Sequence, residues 1–289
     1  MSSAPKIVLI TGCSKGSLGD ALARAFHAAG HHVIATARNE AKMAHLKESG
    51  IETLTLDVCD QESINACLNH VTKRTGGRLD ILLNNAGAMY KSPISDMSIP
   101  DAKALFDLNV WSFIAMTQAF LPLVAKSHGT VVNHTSISSL VPVPFESAYP
   151  ASKAAMASFT DSLRFEVAPL GVNVVELKTG NVLSNIYTPP SAPVRLPENS
   201  LYANARARVE QTLGTNDMVK QCINADVWAT QVVKNVTRKN PVRRFWMGGN
   251  SFLVWFYRRF LPVDFLDFMI REMYGMNEIA QQLANSKAK

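Results

Sequence analysis

The sequence predicts an α/β fold: a single Rossmann-type domain with a doubly wound parallel sheet, followed by a hydrophobic C-terminal extension. Three observations predict it. Short β-branched runs alternate with longer segments whose apolar residues recur at three- and four-residue spacing. The first run ends in a glycine-rich turn that leads straight into a helical pattern. The 289 residues, 47% of them apolar and 18% charged, suffice for one large α/β domain or two small ones and exclude a disordered or collagen-like chain.

In chain order, strands are expected at 7–11 (IVLIT), 32–36 (HVIAT), 52–58 (ETLTLDV), 80–84 (DILLN), 130–135 (TVVNHT) and 172–177 (VNVVEL), with 245–247 as the last. Segments such as 18–29 and 64–74 carry the helical pattern between them, and right-handed crossovers should join consecutive strands. Prolines at 189, 190, 193 and 197 mark 189–200 as an irregular loop. Residues 1–249 are assigned to the dinucleotide-binding domain, with a substrate-selecting loop over about 181–216. Residues 250–289 form the extension, and the stretch from Phe245 to Tyr274 holds ten of the chain's 23 aromatic residues.

Several classes are excluded. The opening MSSAPK has no apolar stretch long enough for a signal peptide, and no run of about 18 apolar residues predicts a bilayer-spanning helix. Cysteines at 13, 59, 67 and 222 form no CxxC pair and no ligand-like spacing with the histidines, which argues against a disulfide scaffold or metal site and for a reducing compartment. The net charge of +6 comes without a basic arm or a groove-reading module, so no nucleic-acid partner is expected. Asn133-His134-Thr135 and Asn235-Val236-Thr237 fit the glycosylation sequon and are discounted.

The turn after the first strand reads Thr11-Gly12-Cys13-Ser14-Lys15-Gly16-Ser17-Leu18-Gly19. Glycines there let the backbone approach a pyrophosphate, and the following helix N-terminus offers unpaired N–H donors. The spacing is not GxGxxG, so alone it also fits a tight turn. The second strand ends in Ala35-Thr36-Ala37-Arg38, where such a fold presents the adenosine ribose. A carboxylate there would repel a 2′-phosphate, whereas Arg38 can hold it with a fork of donors and Lys15 adds a second positive charge, which favours NADP(H).

Asn84-Asn85-Ala86-Gly87 ends the fourth strand, Asn133-His134-Thr135-Ser136 ends the fifth, and Tyr149-Pro150-Ala151-Ser152-Lys153 follows thirteen residues after Ser136. With Asp57-Val58 and the TG turn these make five motifs in one order over residues 6 to about 188, a pattern that resembles the short-chain dehydrogenase/reductase family. The resemblance implies catalytic roles for Asn109, Ser136, Tyr149 and Lys153. It places Gly12, Ser14, Lys15, Gly16 and Gly19 at the phosphates, Asp57 and Val58 at the adenine, Asn85 in the cofactor cleft, and Val182 and Ser184 at the carboxamide, and it implies a homo-oligomer. Three departures stand out. One extra residue separates Gly16 from Gly19, Thr179-Gly180 replaces the family's Pro-Gly, and Ser184 replaces a threonine. The altered turn and the aromatic segment resemble the fungal NADPH-dependent 1-acyldihydroxyacetone-phosphate reductase-like subgroup, which implies a lipid ketone and a place at the cytoplasmic face of endoplasmic reticulum or lipid droplets.

The chemistry suits these residues. Tyr149 and Lys153, four apart, share a helix face, and an ammonium beside a phenol should lower its pKa from about 10. Tyr149 hands a proton to a carbonyl oxygen as hydride arrives from the nicotinamide, or takes one in reverse. Ser136 hydrogen-bonds the same oxygen, Asn109 and Lys153 hold a water chain, and Lys153 also anchors the nicotinamide ribose. The sequence therefore reads as an NADPH-dependent carbonyl reductase or alcohol dehydrogenase acting on an apolar or lipid ketone. Alternatives are a steroid or fungal secondary-metabolite ketone reductase and, from another class, a catalytically silent NADPH-binding protein. Aromatic and basic residues mixed over 250–275 predict peripheral membrane contact, or else a pocket lid or subunit interface.

Overall fold

Seven strands form the sheet: β1 (Ile7–Thr11), β2 (His32–Ala37), β3 (Glu52–Thr55), β4 (Ile81–Asn84), β5 (Thr130–His134), β6 (Asn173–Thr179) and β7 (Arg244–Met247). All neighbours pair in parallel in the order β3-β2-β1-β4-β5-β6-β7. The order reverses between β1 and β4, and such a switch point opens a crevice at the carboxyl ends of the strands. The computed structural model describes residues 4–187, 194–214, 217–262 and 264–287.

The helices are α1 (Leu18–Ala28), α2 (Ala44–Glu48), α3 (Gln61–Thr75), α4 (Ile99–Phe106), α5 (Ser112–Lys126), α6 (Ala148–Glu166), α7 (Arg206–Gly214), α8 (Ala225–Val236), α9 (Ser251–Phe260), α10 (Phe265–Met273) and α11 (Met276–Lys287). Alternation along β1 divides the core. Val8 and Ile10 face α1 and α8, where Leu22, Phe26 and Trp228 are fully buried; Leu9 faces the other layer, with Ile64 of α3 and Phe120 of α5. Each such side chain contributes about 1.5–3 kcal/mol on burial, so the two layers hold the crevice rigid from both faces. A third cluster joins Phe145, just ahead of α6, to Leu196, Val209 and Leu213 around α7 and to Ile279 of α11. It roofs the segment that leads into α6.

Two strands differ from expectation by more than one residue. β3 stops at Thr55 because Asp57 turns the chain: its amide donates to Ser63 Oγ (3.0 Å) and its carboxylate accepts from the Cys59 amide (3.0 Å). β6 runs on to Thr179, since Lys178 and Thr179 pair with Trp246 and Met247 of β7. Within 181–216, α7 is regular helix, and 194–200 is irregular as its prolines predict; 188–193 and 215–216 lie outside the described residues.

Ile99–Lys126 is a 28-residue helix long and apolar enough by composition to cross a membrane, which a count of uninterrupted apolar residues does not reveal. In the fold it lies against the sheet, with Phe113, Met116, Phe120 and Val124 buried. Both sequon asparagines are buried and bonded: Asn133 donates to Thr160 Oγ1 (3.0 Å) and Asn235 to the Val242 carbonyl (3.2 Å).

Candidate active site

The glycines of the first turn are required for different reasons. A Cβ at Gly19 would stand 2.4 Å from the Gly12 carbonyl oxygen, and one at Gly12 would stand 2.8 Å from Ala86 Cα, so any side chain would fill the cradle. Gly16 has space around it but adopts φ +79°, which side chains disfavour. Ser17 caps α1 through the Asp20 amide and donates to the Gly12 carbonyl at 2.8 Å. The Leu18 and Gly19 amides at the start of α1 have no acceptor among the described residues, leaving two donors at the positive end of the helix. A pyrophosphate fits this donor set.

Arg38 follows β2 and is exposed, close enough to Cys59 to act on its thiol, and therefore beside the Asp57-Val58 turn. Lys15 is also exposed, and its amide donates to the Lys42 carbonyl (2.9 Å), which brings a third basic residue to this edge. Residues 181–187 return across the turn. The Asn185 amide donates to the Gly16 carbonyl (3.0 Å) and its side chain to the Lys15 carbonyl (3.3 Å), so Ser184 is carried to the cleft, while Val182 is buried and bridges Ile223. Thr179 Oγ1 at the end of β6 and Asn181 Nδ2 just after it are buried without a partner among the described residues, which leaves two polar groups available to a bound molecule.

Asn85 fastens the NNAG segment to the turn. Its side chain donates to the Thr11 carbonyl (2.8 Å), its amide donates to Thr11 Oγ1 (2.9 Å), and its Oδ1 accepts from His134 Nδ1 at 2.8 Å. That acceptor fixes the proton of His134 on Nδ1. The ring stacks on Trp228 at 5.3 Å, and burial followed by the charge of Lys153 lowers its pKa to about 3, so His134 stays neutral.

Asn109 lies in a π-helical turn, Asp107–Trp111, and is fully buried. Its side chain accepts from the Ala88 amide (3.0 Å) and donates to the Ala88 carbonyl (3.0 Å) and to Ser152 Oγ (3.0 Å), while Ser152 donates to the Tyr149 carbonyl (2.7 Å). Both amide donors are engaged, so Asn109 ties the NNAG segment to α6 and leaves no free side-chain N–H for a water. Gly87 sits inside this knot, where a Cβ would lie 3.1 Å from Asn109 Oδ1 and 3.5 Å from Lys153 Nζ.

Ser136, Tyr149 and Lys153 come together at the carboxyl end of β5. The Tyr149 hydroxyl lies beside Ser136, and Lys153 Nζ donates to the His134 carbonyl (3.1 Å) and sits 5.7 Å from the Tyr149 ring centre. The expected lowering of the Tyr149 pKa does not occur here. Burial pushes it up to about 12, Ser136 pulls it down, and the negative charge of Glu146 raises it. Burial also lowers Lys153 to about 8. The four-residue spacing places the two groups together, but burial is the largest influence on both. A neutral phenol beside a hydroxyl and an ammonium can donate a proton to an oxygen bound between them.

Sequence reasoning missed Glu146, Lys91, Ser152, Asn185 and Tyr187. Ser152 sits at an unassigned position of the Tyr149-to-Lys153 motif and the others in no spaced motif; Glu146, Lys91, Ser152 and Asn185 are recruited by partners distant in the chain.

A family model described as short chain dehydrogenase matches residues 6–192. The chain is 44% identical over 285 residues to a short-chain dehydrogenase/reductase of Pestalotiopsis microspora, covering 98% of this chain and 99% of the relative. It is 43% identical over 202 residues to the NADPH-dependent 1-acyldihydroxyacetone phosphate reductase of Schizosaccharomyces pombe, covering 69% of this chain and 68% of the relative. A short-chain dehydrogenase structure from Streptomyces avermitilis superposes with a TM-score of 0.76 at 28% identity, covering 97% of this chain and 99% of that one.

Proposed function

Because the chain belongs to the short-chain dehydrogenase/reductase family and is an oxidoreductase of CH–OH and C=O groups, we propose that it is an NADPH-dependent reductase of an apolar ketone. The observation that carries this reading is the convergence of Ser136, Tyr149 and Lys153 beside a cradle built for a pyrophosphate. The cofactor supplies hydride. Tyr149 holds the proton at its hydroxyl, Ser136 hydrogen-bonds the substrate oxygen as charge develops, and Lys153 keeps a positive charge under both. Asn109 positions the start of α6. The basic edge of Arg38 and Lys15, with the NADPH dependence of the Schizosaccharomyces relative, supports NADPH over NADH. That relative also names 1-acyldihydroxyacetone phosphate as a candidate substrate, over the two thirds of the chain it covers. NADPH consumption across acyl-dihydroxyacetone phosphates, steroid ketones and aromatic ketones tests the reading; tight NADPH binding without turnover of any of them would contradict it.

The pH dependence has a definite sign. Lys153, lowered to about 8 by burial, is charged below that pH and loses its proton as pH rises through it, while Tyr149 keeps its proton. Ketone reduction, read as kcat/KM for the free enzyme, should be flat from about pH 6 to 7.5 and fall above about 8. A profile flat to pH 9.5 would remove Lys153 from the required charged groups.

We also propose that α9 and α10 seat the enzyme on a lipid surface. Phe252 (71% exposed), Phe260 (60%) and Phe268 (71%) are exposed together with Trp255 and Phe256, and the rings of α9 associate, as in Phe256–Phe260 at 5.1 Å. Exposed Arg258, Arg259 and Arg271 flank them, a pairing of apolar and basic side chains suited to headgroup depth. Replacing Trp255 and Phe256 together by Ser should cut co-sedimentation with phosphatidylcholine–phosphatidylserine vesicles several-fold while circular dichroism stays native. Unchanged binding by a folded double variant would leave this face as a pocket lid or subunit contact.

A further inference from the structure

Glu146 stands three residues ahead of Tyr149, whose amide donates to its carbonyl oxygen at 2.9 Å. The backbone here is strained. Phe145 has φ +63°, held by the Ser92 amide on its carbonyl (2.7 Å) and by its ring packed edge-on against Tyr202 at 5.5 Å. A bulky residue in the left-handed region is strained, and such strain clusters at functional sites. The residue that follows carries a largely buried carboxylate.

One oxygen of Glu146 accepts from Lys91 Nζ at 3.2 Å, and Lys91 also donates to the Leu213 carbonyl at the end of α7 (3.3 Å). The other oxygen has no donor among the described residues. The charge of Glu146 acts on the hydroxyls of Tyr149, Tyr187 and Tyr274, so α6, the segment after β6 and the end of α10 each bring a tyrosine toward this carboxylate. Tyr187 is oriented by its bond to Asn181 Oδ1 (3.2 Å), and the adjoining Ser147 Oγ is buried without a partner among the described residues.

Beside Tyr149 the ammonium of Lys153 has no ion-pair partner among the described residues, but four other cations of the surrounding segments are neutralised. Lys91 is paired with Glu146, Lys178 with Glu176 at 2.6 Å, Arg206 with Glu210 at 3.2 Å, and Arg208 with Glu278. A phosphate brought beside Glu146 would meet a carboxylate whose cation is already paired, whereas a hydroxyl donor would find an acceptor already fixed in place.

We propose that Glu146, held by Lys91, is a substrate-binding residue that accepts a hydrogen bond from a hydroxyl of the ketone substrate, selecting uncharged hydroxylated aromatic ketones over phosphorylated ones. This rests on the ketone reductase reading given above.

The test compares 1-tetralone, its 6- and 7-hydroxy derivatives and a 1-acyldihydroxyacetone phosphate as substrates of the full chain with NADPH. The wild type should favour at least one hydroxytetralone over tetralone by about tenfold in kcat/KM, and over the phosphorylated ketone by more. In Glu146→Gln the hydroxy-to-plain ratio should fall at least fivefold, chiefly through KM. A wild-type preference for the phosphorylated ketone, no preference for a hydroxyl, or an unchanged ratio in the folded variant overturns the proposal; should the variant not fold, the wild-type ratios decide it. If no ketone is turned over although NADPH binds, the reductase reading fails instead. Calorimetric binding of tetralone and hydroxytetralones to the NADPH complex then reads the subsite alone, and equal affinities overturn it.

Discussion

In the Tyr149→Phe variant, ketone-dependent NADPH oxidation is expected to fall about 10²–10⁴-fold, the range typical of losing a general acid. The substitution keeps the ring, so its 5.7 Å contact with Lys153 remains and only the hydroxyl beside Ser136 is lost. The amide contact with Glu146 and the Ser152 bond to the Tyr149 carbonyl are main-chain features and survive. NADPH affinity and thermal midpoint should therefore stay close to wild type. That separation is the informative part: a variant that loses activity together with cofactor affinity would show Tyr149 to be structural. Retention of most turnover would move the proton donor elsewhere.

Arg38→Asp should reverse cofactor choice. The exposed guanidinium follows β2 at the edge shared with Lys15 and Lys42, and among the described residues it forms no ion pair that the substitution would break. Removing a charge-assisted bond forfeits about 1.5–3 kcal/mol, and a carboxylate in its place repels the 2′-phosphate while accepting from a ribose hydroxyl. The ratio of kcat/KM for NADPH over NADH should fall by about 100-fold or more. An unchanged ratio would assign discrimination to Lys15 or Lys42.

The strands were legible because parallel strands covered on both faces need unbroken β-branched runs, and β1 begins and ends where its sequence predicts. The end of β3 was not, because the Asp57 side chain competes for the backbone through bonds to neighbours that no pattern of apolar residues records. Ser136, Tyr149 and Lys153 were legible from their offset. The sign of the Tyr149 shift was not, since spacing tells which groups meet and burial decides which effect prevails. Asn109 was singled out only by the family resemblance, and the full use of its amide appears once Ala88 and Ser152 converge on it. Glu146 and Lys91 are 55 positions apart and lie in no periodic element; their pairing comes from the way the segment after β4 meets the approach to α6.

The central claim is that this chain moves a hydride onto a ketone carbon while Tyr149 supplies the proton. The measurement that tests it most directly is isotope transfer from 4-deuterated NADPH, both epimers, to a ketone that the enzyme consumes, with the alcohol analysed by mass spectrometry. The account predicts one deuterium at the carbinol carbon per NADPH oxidised from one epimer and none from the other. NADPH oxidation that leaves the alcohol unlabelled from both epimers would contradict it.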